Sequence, residues 1–368
     1  MSHYYAVSQE QESCSRDQIN YYREKRGTPK LIFTNDSLNE ILKNKSNINT
    51  LIVADEYNYA KIQAIDKLKF KKLIFVRDSN KRHIDQVKST IYYNDIIAVG
   101  GCSSLDFGRA CADNSINIYL IPSILSTSCI SLNRSILYLN SHHCSVVSPI
   151  PHEVIVSMPI LTESGPELVE KWTHSGLADL LANISATISF LFKEKEYLFN
   201  EGQEDILKTL NRHARDCLQT LDWIINDFRE FDATTLTHVA FILHAAGLSV
   251  IRRGDTALSA GGEHELYYEM QRQQRYDRKN PTHGELVSIG TLVAAKILAK
   301  KFGQDILFRK LLLAYRKINI PTAYDELKRI NIEREHIMKG FEVARKNDSF
   351  LGKFYRPFFV DSCYGNGN

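Results

Sequence analysis

The sequence predicts an α/β domain followed by an all-α domain, and three observations support this prediction. The chain has 368 residues, which is more than one ordinary hydrophobic core contains. Its first 150 residues alternate short apolar runs with helix-like stretches, whereas its second half shows long helical periods. Four of its nine prolines cluster between these patterns, at Pro149, Pro151, Pro159 and Pro166. Because clustered prolines interrupt regular structure, we predict domains at 1–160 and 161–368.

The apolar runs of the first half predict the strands of a parallel sheet. Five of them are rich in β-branched residues: Leu31–Thr34, Leu51–Ala54, Lys72–Val76, Ile96–Val99 and Ile116–Ile121. Strands that alternate with helices form βαβ units, and continuous apolar runs fit strands that are covered on both faces. Two further runs, Ser135–Leu139 and Val154–Met158, flank the proline cluster, and we expect them to form a small additional sheet.

The second half predicts five long helices from its apolar periodicity. They are Gly176–Phe192, Glu204–Phe228, Thr235–Ile251, His283–Lys301 and Gln304–Arg316.

Composition and charge narrow the function classes. Hydrophobic residues make up 43% of the chain and the net charge is +3, so the chain has a globular composition and no broad basic stripe for nucleic acid. Its seven scattered cysteines contain no CxxC pair, which favours a reducing compartment and argues against a structural zinc site. No signal peptide and no window approaching about 20 apolar residues is evident, so we expect a cytoplasmic protein without a membrane span.

A glycine pair follows the fourth predicted strand. Ile96–Val99 runs into Gly100 and Gly101 and then into a helix start, an arrangement that presents backbone N–H groups to a phosphate. The alternative is an ordinary turn. Asp55 directly follows the second strand, where an acidic residue accepts hydrogen bonds from an adenosine ribose and favours NAD over NADP, although Asp is also a common helix N-cap.

Three residues in the second half have the chemistry of a catalytic metal site. Asp179 lies among small side chains on a predicted helix, His264 follows a glycine pair, and His283 begins a long apolar helix. Neutral imidazole together with carboxylate suits zinc or ferrous iron, and three protein ligands leave a coordination position for substrate. The alternative is that these are ordinary surface or core residues, because the chain has twelve histidines.

Five segments, in order along the chain, resemble the dehydroquinate synthase-like superfamily, which includes the iron-type alcohol dehydrogenases. Val99–Arg109 is similar to its GGGSxxDxxK phosphate loop, and Ile121–Ser126 to its IPTT segment. His283–Thr291 is similar to its HGExVxxGT helix. Ser175–Leu181 and Gly261–His264 resemble segments of the glycerol-1-phosphate dehydrogenase branch.

The resemblance implies a Rossmann-like α/β domain at 1–160, which binds the nucleotide, and a helical domain at 161–368, which binds metal and substrate. It implies that Asp179, His264 and His283 bind one catalytic zinc or iron ion. It also implies NAD or NADP as cofactor, with a set of cofactor-binding residues: Asp55, Gly100, Gly101, Cys102, Ser103, Asp106, Ser123 and Ser126. A small-molecule substrate and a homo-oligomer are expected on the same ground.

Several positions depart from the family pattern. Cys102 replaces the third loop glycine, and Arg109 replaces the lysine. Ser128 stands where the glycerol-1-phosphate branch usually has Asp, and Tyr268 where it usually has a second His. Cys102 predicts a changed cofactor affinity, and Ser128 and Tyr268 predict a substrate that differs from glycerol phosphate.

Three functions fit these observations. The first is a metal-dependent, NAD(P)-linked dehydrogenase or reductase acting on a small polyol, ketone or aldehyde, with or without a phosphate. The alternative is a sugar phosphate cyclase like dehydroquinate synthase, which uses NAD transiently. Such cyclases usually have Glu as the first metal ligand, so Asp179 favours the dehydrogenase. The third is a non-catalytic relative, against which the complete ligand triad argues.

A basic helix face is also predicted, at Arg272, Arg275 and Lys279. This face either binds a phosphate group of the substrate or is simply solvated.

Overall fold

The structure is a computed structural model that describes most of the chain in two compact units. The described residues are 27–139, 142–198, 204–254, 256–273, 281–303, 305–344 and 357–364. The first unit comprises the described parts of Met1–Ile124, Cys129–Gly165 and Val250–Asp255. The second comprises those of Leu125–Ser128, Pro166–Ser249 and Thr256–Asn368.

A parallel sheet of six strands forms the centre of the first unit. In sheet order, its strands are β1 (Lys30–Thr34), β8 (Glu153–Ser157), β5 (Asn117–Pro122), β4 (Asp95–Gly100), β2 (Thr50–Ala54) and β3 (Lys72–Phe75). All neighbouring strands are parallel. Every residue of β2 and β4 is buried, as expected for central strands with both faces covered. The α/β part of the predicted fold class is therefore confirmed.

Helices connect these strands as the alternation predicts. They are α1 (Leu38–Lys45), α2 (Glu56–Gln63), α3 (Lys81–Thr90), α4 (Cys102–Cys111) and the short α5 (Met158–Thr162). Polar caps begin several of them, because a side-chain oxygen satisfies a backbone N–H that the helix leaves free. Ser37 and Glu40 form a capping box at α1, and Asn80 caps α3.

The expected small sheet is partly wrong. The run Val154–Met158 lies within β8 of the main sheet, between β1 and β5, with only its last residue in α5. Its buried apolar residues are continuous, as an interior parallel strand requires. A strand of an accessory hairpin does not require such a continuous run. The small sheet instead pairs β6 (Arg134–Leu139) with β7 (His142–Val147), a strand the sequence analysis missed because its polar residues gave no apolar run.

The strand order identifies the edge of the sheet at which a ligand is expected to bind. β2 hydrogen-bonds to β3 on one side and to β4 on the other, so the connections that follow β2 and β3 run in opposite directions. Ligands of open α/β sheets bind outside the carboxyl ends of strands at such a switch point. Ala54 pairs with Val99 there, which brings the residues after β2 beside the end of β4.

The second unit is helical, as predicted. Its described helices are α6 (Pro166–Leu198), α7 (Glu204–Asn226), α8 (Ala233–Arg253, whose last residues group with the first unit), α9 (Gly262–Gln273), α10 (His283–Phe302), α11 (Asp305–Lys317), α12 (Tyr324–Arg329), α13 (Arg334–Ala344) and α14 (Pro357–Tyr364). α10 is buried along most of its length and packs against α6, α9 and α11. A helix that is apolar all round belongs in a core.

Two helices are long and apolar enough to cross a membrane by length and composition alone. They are α6 over Pro166–Phe192 and α8 over Ala233–Arg253. Neither was expected from the sequence, because polar residues interrupt the apolar residues of both. The most apolar window of α6 is 83% buried inside the protein and that of α8 is 56% buried, which is the behaviour of core helices.

Candidate metal centre and nucleotide loop

The three predicted metal ligands come together within the second unit. Asp179 projects from α6, His264 from the first turn of α9, and His283 is the first residue of α10. One ligand atom from each lies within 4.8 Å of the other two. Asp179 and His264 are buried and His283 is partly buried, so the group lies inside the fold and not on a solvated face.

Asp179 is the central member of this cluster. Its Oδ1 lies 3.1 Å from Nε2 of His283 and 3.5 Å from Nε2 of His264. Its Oδ2 accepts a hydrogen bond of 3.3 Å from the backbone N–H of Ser128. Both imidazoles therefore direct the same ring nitrogen toward one carboxylate oxygen.

Local structure fixes the position of His283. Thr282 caps α10, and its capping box with Glu285 makes His283 the first helical residue. The backbone N–H of Gly284 donates to Ser175 Oγ at 3.0 Å, which ties this helix end to α6. The Tyr267 ring meets the His283 ring edge to face at a centroid distance of 4.4 Å and limits its rotation.

Burial and pairing shift the pKa values of the cluster in opposite directions. Burial opposes the ionisation of Asp179, but the two histidines hold the pKa of its carboxyl well below the usual range. Burial alone would lower the pKa of His264, yet hydrogen bonds to Asp179 and Glu263 raise it to about 9. The metal-free cluster therefore holds a carboxylate beside a protonated imidazole over most of the neutral range.

The donor set fits a divalent transition metal. One carboxylate oxygen and two imidazole nitrogens are ligands of zinc and ferrous iron. The donor atoms lie within 4.8 Å of one another, which is compatible with three ligands around one ion after small side-chain adjustments. Three protein ligands are also the usual number where a position is kept for substrate.

Glu263 is a functional candidate that the sequence analysis missed. Its side chain is fully buried, and its Oε1 lies 3.0 Å from Nδ1 of His264. The signal was available in the sequence, since an acidic residue directly precedes a candidate ligand histidine. That signal is weak alone, because adjacent residues on a helix usually face different directions.

The predicted phosphate loop lies at the switch point of the sheet. β4 ends at Gly100, whose φ of +137° is a conformation that side chains with a Cβ rarely adopt. Gly101 is the N-cap of α4 and has no side chain to cap it, so the positive end of this helix, which favours an anion, begins at the loop. Asp55 reaches the same loop, because its Oδ2 accepts from Gly101 N–H at 3.3 Å.

Asp55 has a local structural role as well. It caps α2, since its Oδ1 accepts a hydrogen bond of 3.0 Å from the backbone N–H of Asn58. The helix-cap interpretation of this residue is therefore correct, and its ribose contact stays a prediction.

The remaining predicted cofactor residues lie in different surroundings. Cys102 packs in an apolar cluster with Cys129, Leu132 and Val250, and Ser103 is partly exposed. Ser123 donates its N–H to the carbonyl of Gly100 at 3.1 Å. Ser126 groups with the second unit, where its carbonyl accepts from Ser175 Oγ at 3.5 Å.

Asp106 lies inside α4 and pairs with Arg109, the residue that replaces the family lysine. Arg109 also donates to the carbonyl of Cys129, and its side chain is fully buried. Burial raises the pKa of the Asp106 carboxyl to about 6, although Arg109 opposes this shift. Arg109 thus links α4 to the segment at Cys129, and Asp106 compensates its buried charge.

Solved structures identify the fold of the chain. A probable glycerol dehydrogenase from Sinorhizobium meliloti is 14% identical, with a TM-score of 0.63 over 92% of this chain and 96% of that one. An iron-containing alcohol dehydrogenase from Corynebacterium glutamicum is 15% identical, with a TM-score of 0.59 over 93% of this chain and 96% of that one. The chain therefore has the two-domain fold of the iron-containing alcohol dehydrogenases, and the predicted fold class is confirmed.

Sequence comparison is more specific. Over 258 residues the chain is 21% identical to a glycerol-1-phosphate dehydrogenase [NAD(P)+] from Archaeoglobus fulgidus, covering 69% of this chain and 68% of that protein. No family model matches the chain. The predicted resemblance is confirmed, and these relatives support an oxidoreductase linked to NAD(P).

Proposed function

We propose that this protein is a metal-dependent, NAD(P)-linked dehydrogenase or reductase acting on a small polyol, ketone or aldehyde. The cluster of Asp179, His264 and His283 carries the proposal, since its donor atoms lie within 4.8 Å of one another. Similarity to glycerol-1-phosphate dehydrogenases supports the reaction class. Location in the cytoplasm and assembly into a homo-oligomer stay predictions.

The residues of the cluster have distinct roles in this proposal. Asp179 supplies the negative charge, and His264 and His283 supply neutral nitrogen donors once the proton on His264 has left. A zinc or iron ion bound by them supplies Lewis acidity toward a substrate carbonyl or hydroxyl oxygen, and bound NAD(P) carries the hydride. Ser128 N–H and the Tyr267 ring hold two of the ligands in place before anything binds.

The glycine loop is the proposed nucleotide site in the first unit. The positive N-terminal end of α4 suits the pyrophosphate, and the carboxylate of Asp55 lies at the neighbouring strand end, where the ribose is recognised in such folds. An acidic residue at that position favours NAD, because it repels the 2′-phosphate of NADP.

The substrate is the least constrained part of the proposal. Ser128 and Tyr268 stand where the glycerol-1-phosphate branch usually has Asp and His, so we infer a substrate that differs from glycerol phosphate. The predicted basic face lies largely outside the described residues, at Arg275 and Lys279, and the side chain of Arg272 is not described either. Phosphate recognition by this face stays a prediction.

The test is NADH oxidation by zinc- or iron-loaded protein over a panel of carbonyl substrates. The panel pairs dihydroxyacetone phosphate with dihydroxyacetone and includes simple hydroxyketones and aldehydes. We expect metal-dependent NADH consumption in proportion to product, which a cyclase that regenerates its NAD does not give. An Asp179→Asn variant is the matched control, because it keeps the shape of the side chain and removes its charge.

Metal-loaded protein that binds NADH but oxidises none across the panel would contradict the reductase proposal. Turnover that persists unchanged in the chelated protein would instead contradict the metal dependence. Preference for the phosphorylated member of the first pair would support phosphate recognition.

A further inference from the structure

Glu263 is a buried carboxylate beside the candidate metal centre that is not one of its three ligands. Its side chain is fully buried, and its backbone lies in the first turn of α9. A carboxylate is favoured at a helix N-terminus, because it faces the positive end of the helix dipole. Burial of a charge is nevertheless costly unless hydrogen bonds compensate it, so its partners indicate what it does.

Three donors surround the carboxylate. Oε1 accepts from Gly261 N–H at 2.6 Å and lies 3.0 Å from Nδ1 of His264. Oε2 accepts from the hydroxyl of Ser185 at 2.8 Å. Both oxygens are thus engaged within the protein, and this fixes the direction of the carboxylate.

The backbone around Glu263 is shaped to admit it. Gly290 of α10 passes so close that a Cβ added there would lie 2.6 Å from both Cα and Cβ of Glu263. Only glycine permits this approach, because a real Cβ does not come that near another carbon. Gly290 therefore lets the backbone of α10 pack directly against the first turn of α9 at Glu263.

The hydrogen bond to Nδ1 decides the chemistry of the opposite ring nitrogen. An ionised carboxylate only accepts, so Nδ1 of His264 must carry a proton. In the neutral ring Nε2 then has a lone pair, and Nε2 is the atom that faces Asp179 Oδ1. The described part of the structure gives His283 no second carboxylate within 4.0 Å besides Asp179, so this support is particular to His264.

We propose that Glu263 is a positioning residue that fixes the Nδ1-protonated tautomer of His264 and thereby directs Nε2 into the metal centre. The proposal rests on the proposed function, since it assumes that the centre binds a metal ion. Such outer carboxylates orient metal-binding histidines and raise their basicity, and losing one typically costs about 10–100-fold in metal affinity. Glu263 also balances charge, because two carboxylates and two neutral imidazoles neutralise a divalent ion.

Two substitutions at this position separate hydrogen bonding from charge. In Glu263→Gln the amide oxygen can replace Oε1 and keep both N–H contacts. The amide NH2 can then donate to Ser185 Oγ, whose hydroxyl has the carbonyl of Ala182 at 2.9 Å as an alternative acceptor. Glu263→Ala removes the tautomer control and the charge together. Glu265→Gln is the matched control, since it removes the same charge from the same helical turn at a partly exposed position.

The experiment measures the zinc dissociation constant by competition with a chromophoric chelator for the full-length protein and the three variants. We expect Glu263→Ala to bind zinc about 10–100-fold more weakly and Glu263→Gln to keep most of the affinity, within about tenfold. Glu265→Gln should match the wild type. Histidine-selective 15N NMR of zinc-loaded wild type should show one Nδ1–H proton held in a strong hydrogen bond that is absent in Glu263→Ala.

The outcomes separate the two proposals. Failure of the wild type to bind zinc overturns the proposed metal centre, and this inference with it. If the wild type binds zinc and the zinc dissociation constant of Glu263→Ala is within about threefold of the wild-type value, the positioning role is overturned and the proposed metal centre is not. If Glu263→Ala does not fold, equal zinc affinity of Glu263→Gln and wild type, with no hydrogen-bonded Nδ1–H signal in either, overturns it as well.

Discussion

The candidate metal centre and the proposed nucleotide loop show two ways of building a site. The centre takes side chains from three helices, and its members Asp179 and His283 are 104 residues apart. The loop is a local turn at the start of α4, and among the described residues Asp55 and Ser123 hydrogen-bond to its two glycines. Helix packing, together with hydrogen bonds such as that from Ser128 N–H to Asp179, holds the donors of the centre together. The loop instead depends on the backbone conformation that glycine allows. The first site should therefore be most sensitive to the loss of a side chain, and the second to the addition of one.

The largest effect that we expect is the loss of metal in His264→Ala. One of three ligands disappears, so zinc affinity should fall by more than the roughly 10–100-fold that is typical when a residue hydrogen-bonded to a ligand is lost. Measurement of bound zinc after gel filtration checks this. His238→Ala is the control, because it removes a partly buried histidine of the same unit that packs on Trp223. Full zinc occupancy in the His264 variant would show that the centre is assigned to the wrong residues.

The second effect is a pH dependence of opposite sign in two quantities. The stability of the metal-free protein should fall as pH rises, and its zinc affinity should increase. The pKa of His264 is raised to about 9 in the folded protein from 6.5 in the unfolded chain. Its contribution to stability is therefore complete below pH 6.5 and is lost as pH rises through about 9, on the order of 3 kcal/mol. Urea unfolding of chelated protein at several pH values measures this decrease.

Zinc affinity should change in the other direction over the same range. The proton on His264 must leave before Nε2 can bind, so affinity should rise with pH up to about 9 and then level off. If both the metal-free stability and the zinc affinity were flat between pH 6.5 and 9, His264 would not hold the proton that we assign to it.

The smallest effects belong to the loop, where two neighbouring substitutions should differ. Gly100→Ala forces a side chain into a φ of +137° and against Asp55, so we expect a loss of about 1–3 kcal/mol in stability and weaker NADH binding. Cys102→Ala removes a thiol that packs in the apolar cluster with Cys129, Leu132 and Val250. The NADH affinity should therefore change by less than about threefold.

Titration of NADH fluorescence with each variant makes the comparison. A larger effect from Cys102→Ala than from Gly100→Ala would mean that the thiol, and not the backbone, limits the cofactor site. Equal binding by both variants and wild type would remove the loop from the cofactor site altogether.

Sequence patterns were sufficient for the local features of this protein. Continuous apolar runs predicted the strands β1 to β5, because a buried parallel strand needs apolar residues on both faces. The same rule, applied without knowledge of pairing, could not assign Val154–Met158 to the main sheet, since strand partners are chosen by long-range packing. The polar strand β7 was missed because it has no apolar signal.

By itself the sequence determined the two-part fold, the glycine loop and the identity of three candidate ligands. Tertiary structure decided that Asp179, His264 and His283 share one centre, because residues on separate helices meet only when those helices pack. It also decided that Glu263 turns toward His264, since Gly261 N–H and the Ser185 hydroxyl donate to its two oxygens. Residue types and their order along the chain limit the chemistry that is possible, and packing in three dimensions selects which groups can act together.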